Sequence, residues 1–237
     1  MGLLPLGYQL LNLSVVLLLF VIGFKAINSA FDCAEKVKIK KVLLVLGLLL
    51  WQCYIFGLGQ TDLLSSLDLP PRFAIFLIAP AFIFTAIFIY TNRNNSWLDC
   101  IPQSWLIYFQ SFRILVETLF VLSIAEGVLH PNVTIEGYNF DMIMGVTAPI
   151  IAFLAFEKRI LSKKNVIFWN YIGLAVLASV IFVFTTTVFF PQFYGSSENL
   201  MSVTFTSYPY TLVTGFLMPA AVFIHVLSIV QLRKISE

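Results

Sequence analysis

The stretch Trp105 to Glu126 (WLIYFQSFRILVETLFVLSIAE) is long and apolar enough to cross a bilayer, yet it carries Gln110, Arg113 and Glu117 inside it. A crossing helix needs roughly 20 residues to traverse about 30 Å of hydrocarbon. A charge at that depth is costly unless it faces a bundle interior or a wet cavity and finds a partner. The chain must therefore surround this helix with others. Its composition does so: 59% of residues are hydrophobic and 11% charged, against about 25% charged in an average soluble domain. The expected fold is all-α, a seven-helix transmembrane bundle forming a single transmembrane domain over residues 1–237. Its spans fall at about 4–24, 42–58, 73–90, 105–126, 140–156, 166–189 and 211–232.

Charge placement orients this bundle, because short basic loops stay cytoplasmic. With the N-terminus outside and the C-terminus cytoplasmic, the inner side holds Lys25, Lys36, Lys38, Lys40, Lys41, Arg93, Lys158, Arg159, Lys163, Lys164, Arg233 and Lys234. Those are twelve of the fourteen basic residues. Arg72 falls at an outer boundary and Arg113 in a span. The outer connections, 59–71, 127–138 and 190–210, hold acids and aromatics. The N-terminal apolar run lacks a basic leader and a small-residue cleavage site, so it reads as a retained helix. Spans 2 and 5 are the shortest. Cys33, Cys53 and Cys100 have no pairing pattern and are expected to be free thiols.

Gln110, Arg113 and Glu117 are three and four residues apart and so share one helix face. At 1.5 Å per residue Arg113 lies about 12 Å from Trp105, and His225, about eight residues from the inner end of span 7, sits at about the same depth. The partner of Arg113 is either Glu117, one turn away, or Asp141 on the next helix. Glu136, Asn139 and Asp141 cluster where the chain enters span 5, and Asn139 or Asp141 can cap that helix, where a carboxylate is favoured by the dipole. Pro80, Gly145, Pro149, Gly173 and Pro219 are helix-shaping positions. Small residues let helices approach closely, and prolines free carbonyls that neighbours must satisfy. Two distant histidines and no HExxH or CxxC motif point to no metal, and no phosphate loop, nucleophile elbow or dinucleotide fingerprint is present, so no cofactor is expected. A net charge of +2 argues against nucleic acid.

The residues Gln110, Arg113, Pro131, Glu136, Gly137, Asn139, Asp141, Gly145 and Pro149, with Trp169-Asn170-x-x-Gly173 and the segment from Pro219 through His225 to Leu232, resemble a group of small bacterial integral membrane proteins of uncharacterised function. The resemblance covers about half the chain. It implies an inner-membrane location in a bacterium and a convergence of Gln110, Arg113, Asp141, Asn170 and His225; it implies no activity. Read together, the expected substrate-binding or ion-pair network is Gln110, Arg113, Glu117, Asn139, Asp141, Asn170 and His225. The function expected first is a transporter or permease for a small polar or anionic solute. A membrane-embedded enzyme on a lipid-like substrate and a non-catalytic membrane subunit or scaffold are the alternatives. The partners expected are the lipid bilayer and a small polar solute, with self-association left open.

Overall fold

A computed structural model describes residues 2–234. Seven long helices account for the bundle: α1 (Leu3–Ala30), α2 (Ala34–Gly59), α3 (Ala74–Asn92), α4 (Gln103–Ala125), α5 (Asp141–Ala152), α6 (Lys163–Phe189) and α7 (Val213–Lys234). Six of them are long and apolar enough to cross a membrane. The exception is α5, whose 12 α-helical residues continue into a five-residue π turn, Phe153–Glu157. That is about 25 Å of helix at 1.5 Å per residue, short of the hydrocarbon thickness. The multi-pass, all-α membrane architecture is as expected, with α5 below crossing length.

The helix ends differ from expectation where charged residues sit. Span 2 is not 42–58: α2 begins at Ala34, so Lys36, Lys38, Lys40 and Lys41 lie on its first turns, not in a loop. Glu35 stands in that first turn, where the positive end of the helix dipole favours an acid. Lys41 lies over the Phe24 ring, 5.4 Å from its centroid, and Lys40 over Phe31, which ties the start of α2 to the end of α1. Likewise α6 starts at Lys163, with the Ser162 hydroxyl accepting from Asn165 N. The three thiols are free and exposed.

Hydrogen bonds and an ion pair align the helices as alternating antiparallel neighbours. At one end Tyr8 near the start of α1 hydrogen-bonds Ser123 near the end of α4 (2.8 Å), and Tyr208 N donates to Gly59 O at the end of α2. At the other end, Lys234 of α7 pairs with Asp99 before α4 (2.8 Å), and Tyr108 of α4 donates to Glu157 after α5 (3.0 Å). The lysine-rich residues share this second end.

Pro80 and Pro219 show how the bundle absorbs a missing backbone donor. Each follows a π turn, Ala74–Ile78 in α3 and Val213–Leu217 in α7. A proline leaves the carbonyl four residues earlier without its helical partner, here Phe76 and Gly215. The Tyr54 hydroxyl donates to Phe76 O (2.8 Å) and the Trp51 indole N–H to Gly215 O (2.9 Å). Trp51 and Tyr54 are neighbours on α2 and stack with ring centroids 5.1 Å apart. One aromatic pair thus fastens α2 to both broken helices, where an unsatisfied carbonyl facing lipid would cost several kcal/mol.

Burial separates the centre from the rim. In the most apolar stretches of α4 and α7, 56% and 61% of residues are buried, against 11% in α2. The helices that carry Arg113 and His225 are therefore the central ones, and α2 turns most of its leucines outward.

Candidate functional site

Arg113 is the eleventh residue of the 23 in α4, about 15 Å from its start and hence mid-helix. It is 1% exposed, and among the described residues it is the one buried Lys or Arg. Its partner acid is Asp141 of α5: one terminal nitrogen, Nη2, donates to Asp141 Oδ1. The other, Nη1, meets His225 Nε2 of α7 at 3.0 Å. The short spacing of Arg113 and Glu117 therefore does not decide the pairing. Glu117 points its carboxylate to the turn before α5, accepting from Ile135 N (2.5 Å) and Asn139 Nδ2 (3.2 Å).

Two glycines make this geometry possible. A Cβ on Gly145 would lie 2.9 Å from Ile114 Cγ1 and 3.3 Å from Arg113 Cβ, so its absence lets α5 press against α4 beside Arg113. Asp141 is four residues earlier on the same face of α5 and is carried into reach. A Cβ on Gly173 would lie 2.4 Å from His225 Cε1 and Nε2; the imidazole occupies the space a side chain on α6 would fill.

The protonation pattern of His225 follows from its partners. A guanidinium can only donate, so Nε2 accepts from Arg113. The proton then resides on Nδ1, which donates to Asn170 Oδ1 at 2.8 Å. Asn170 Nδ2 in turn donates to Val166 O (2.8 Å) and Ser228 Oγ (3.2 Å). At the other end, Asn139 Oδ1 accepts from Asp141 N at 2.8 Å. A continuous chain of hydrogen bonds thus runs Ser228, Asn170, His225, Arg113, Asp141, Asn139, Glu117, linking α4, α5, α6 and α7.

Of the residues singled out from sequence, Arg113, Glu117, Asn139, Asp141, Asn170 and His225 come together in this chain. Gln110 stands apart: its Nε2 donates to Ala221 O of α7 (3.1 Å), and its buried Oε1 has no partner among the described residues. The capping expectation needs correction. Phe140 precedes the first turn of α5, and neither Asn139 nor Asp141 is its N-cap residue; Asn139 serves the same need by accepting from the first helical N–H. Ser228 was not anticipated, although it lies three residues after His225 and so on the same helix face. Pro149 lies inside α5, one turn beyond Gly145.

Beside the network is a cavity of about 350 Å³, counted with its open mouth, bounded by Arg113, Asn139 and Asp141 and otherwise by apolar side chains of α4, α6 and α7. Arg113 Nε has no partner among the described residues. Asp141 keeps 11% of its side chain accessible.

Compared with known proteins, the chain matches no family model, no curated protein and no solved structure. The resemblance to small bacterial membrane proteins thus gains no family from these comparisons, and the polytopic helical character is what carries forward.

Proposed function

We propose that this multi-pass membrane protein holds a small polar solute beside Arg113 and moves it across the membrane as a transporter or permease does. The observation that carries the reading is a fully buried arginine whose Nε has no partner among the described residues and which lines a cavity. A guanidinium used only to brace helices is better served by spending every donor on protein acceptors, because each buried donor left unmade costs about 1–3 kcal/mol. Charge narrows the solute further. Arg113 already has one carboxylate in contact, Asp141, with Glu117 one turn away on α4, and His225 is neutral while it accepts from Arg113. An added anion would bring a third acid to a single base at low dielectric, so a neutral polar group fits better than an anion.

The same reading takes the lysine-rich end as cytoplasmic, with the N-terminus outside, because twelve of fourteen basic residues gather there. A bacterial cytoplasmic membrane is the location the resemblance favours. Leu177, which lines the cavity, tests the reading in a background with Cys33, Cys53 and Cys100 replaced by serine. In membrane vesicles, Leu177→Cys should react with a charged, membrane-impermeant thiosulfonate far faster than Ala148→Cys, which is fully buried away from the cavity. Equal inertness of the two thiols would mean that water does not reach Arg113, and the reading would fall.

A further inference from the structure

A second, larger cavity lies against the first. It encloses about 600 Å³, counted with its open mouth. The two cavities share Phe120, Val180, Val213 and Met218 as walls, so they adjoin across those four residues. Their chemistry is opposite. The smaller is bounded by Arg113, Asn139 and Asp141; the larger is lined largely by aromatic and aliphatic side chains, among them Phe184 and Phe205. The polar groups of the larger cavity are mostly spent on the protein: the Tyr8 hydroxyl is bonded to Ser123 Oγ, and the Thr214 hydroxyl to Thr211 O (3.3 Å). What remains is an apolar chamber opening beside a polar corner.

We infer that the two cavities form one amphipathic site for an apolar alcohol, whose hydroxyl sits between Arg113 and Asp141 and whose hydrocarbon body fills the aromatic chamber. The inference rests on the reading of Arg113 as a binding group and names the class of molecule it binds. A hydroxyl both donates and accepts. It can accept from Arg113 Nε–H, which has no other partner among the described residues, and donate to Asp141 Oδ2, since Oδ1 is taken by Arg113. A carboxylate of the same shape would oppose Asp141 and Glu117, and an ammonium would oppose Arg113. A plain alkane would leave Nε–H buried and unmade. Dispersion and burial in the chamber supply affinity, while the hydroxyl sets direction.

The test uses the whole protein in lipid nanodiscs and a photoreactive probe, dodecanol bearing a diazirine at its far end, with adducts mapped by mass spectrometry. Adducts are expected on chamber residues such as Phe184 and Phe205. Unlabelled dodecanol should suppress them at a concentration at least about tenfold lower than dodecane or dodecanoate, the discrimination expected from one or two buried hydrogen bonds. Ile181→Trp, which fills the chamber from α6, should abolish the adducts while leaving the thiosulfonate reaction of Leu177→Cys in place. If dodecane competes as well as the alcohol, no polar group is being recognised and the inference is overturned. If dodecanoate competes best, the charge argument is overturned. If Leu177→Cys reacts with the thiosulfonate yet no chamber adduct forms in the unsubstituted protein, the polar-solute reading survives and the alcohol does not. If both fail, the reading itself is lost.

Discussion

Replacing Asp141 by alanine isolates the central interaction. Asp141 is the acid on Arg113, and Arg113 is 1% exposed at mid-helix, so the substitution leaves a guanidinium with one neutral partner, His225, and no counter-charge in contact. Breaking a buried pair from one side typically costs about 3–5 kcal/mol. Part of that is recovered here, because Asp141 has some accessible surface through which water can reach the cation; about 2–4 kcal/mol is expected. Replacing both partners, as Arg113→Met with Asp141→Ala, removes the uncompensated charge and should recover most of the loss. The assay is reversible unfolding in mixed micelles as a double-substitution cycle, with the pairwise coupling as the readout. Glu117→Gln is the control. It removes no partner of Arg113 but turns an amide N–H toward one of the two donors, Ile135 N–H or Asn139 Nδ2–H, while its amide oxygen accepts from the other, at a cost of about 1–3 kcal/mol, and it should show little coupling to Arg113→Met. If Asp141→Ala and Arg113→Met were additive while Glu117→Gln and Arg113→Met coupled strongly, the assignment of the counter-ion would be wrong.

Other substitutions probe the rest of the framework. Gly173→Ala places a methyl 2.4 Å from the His225 ring and should destabilise by about 1–3 kcal/mol through overpacking, with much of the loss relieved in combination with His225→Ala. His225→Phe removes the acceptor for Arg113 and the donor for Asn170; unfolding should report a loss of about 1–3 kcal/mol for the unmade bonds, and His225→Gln a smaller one. Trp51→Phe and Tyr54→Phe expose the freed carbonyls of α7 and α3, and each should lower the unfolding midpoint by an amount equivalent to about 0.5–2 kcal/mol.

The span pattern was legible because apolar runs of bilayer length and a one-sided lysine distribution are bulk properties of the chain. The ends of helices were not: Lys36 to Lys41 read as a loop by charge, yet a helix entering the headgroup region continues through such residues because their long stems reach the interface. The depth of Arg113 and His225 follows from helix rise alone, which is why their contact could be anticipated. The identity of the paired acid could not be. Glu117 is closer in sequence, but the approach of α5 is set by the missing side chain of Gly145, a packing fact with no one-dimensional signature. Pro80 and Pro219 announced freed carbonyls; that Trp51 and Tyr54 of a distant helix would satisfy them depends on how α2 docks.

The most direct measurement is an experimental structure in lipid nanodiscs at a resolution that shows non-protein density inside the bundle. The account predicts Arg113 on Asp141, Glu117 on Asn139, and density beginning beside Arg113 Nε and continuing past Met218 into the aromatic chamber. Arg113 sealed against protein on every nitrogen, with the space beside it closed by side chains, would contradict it.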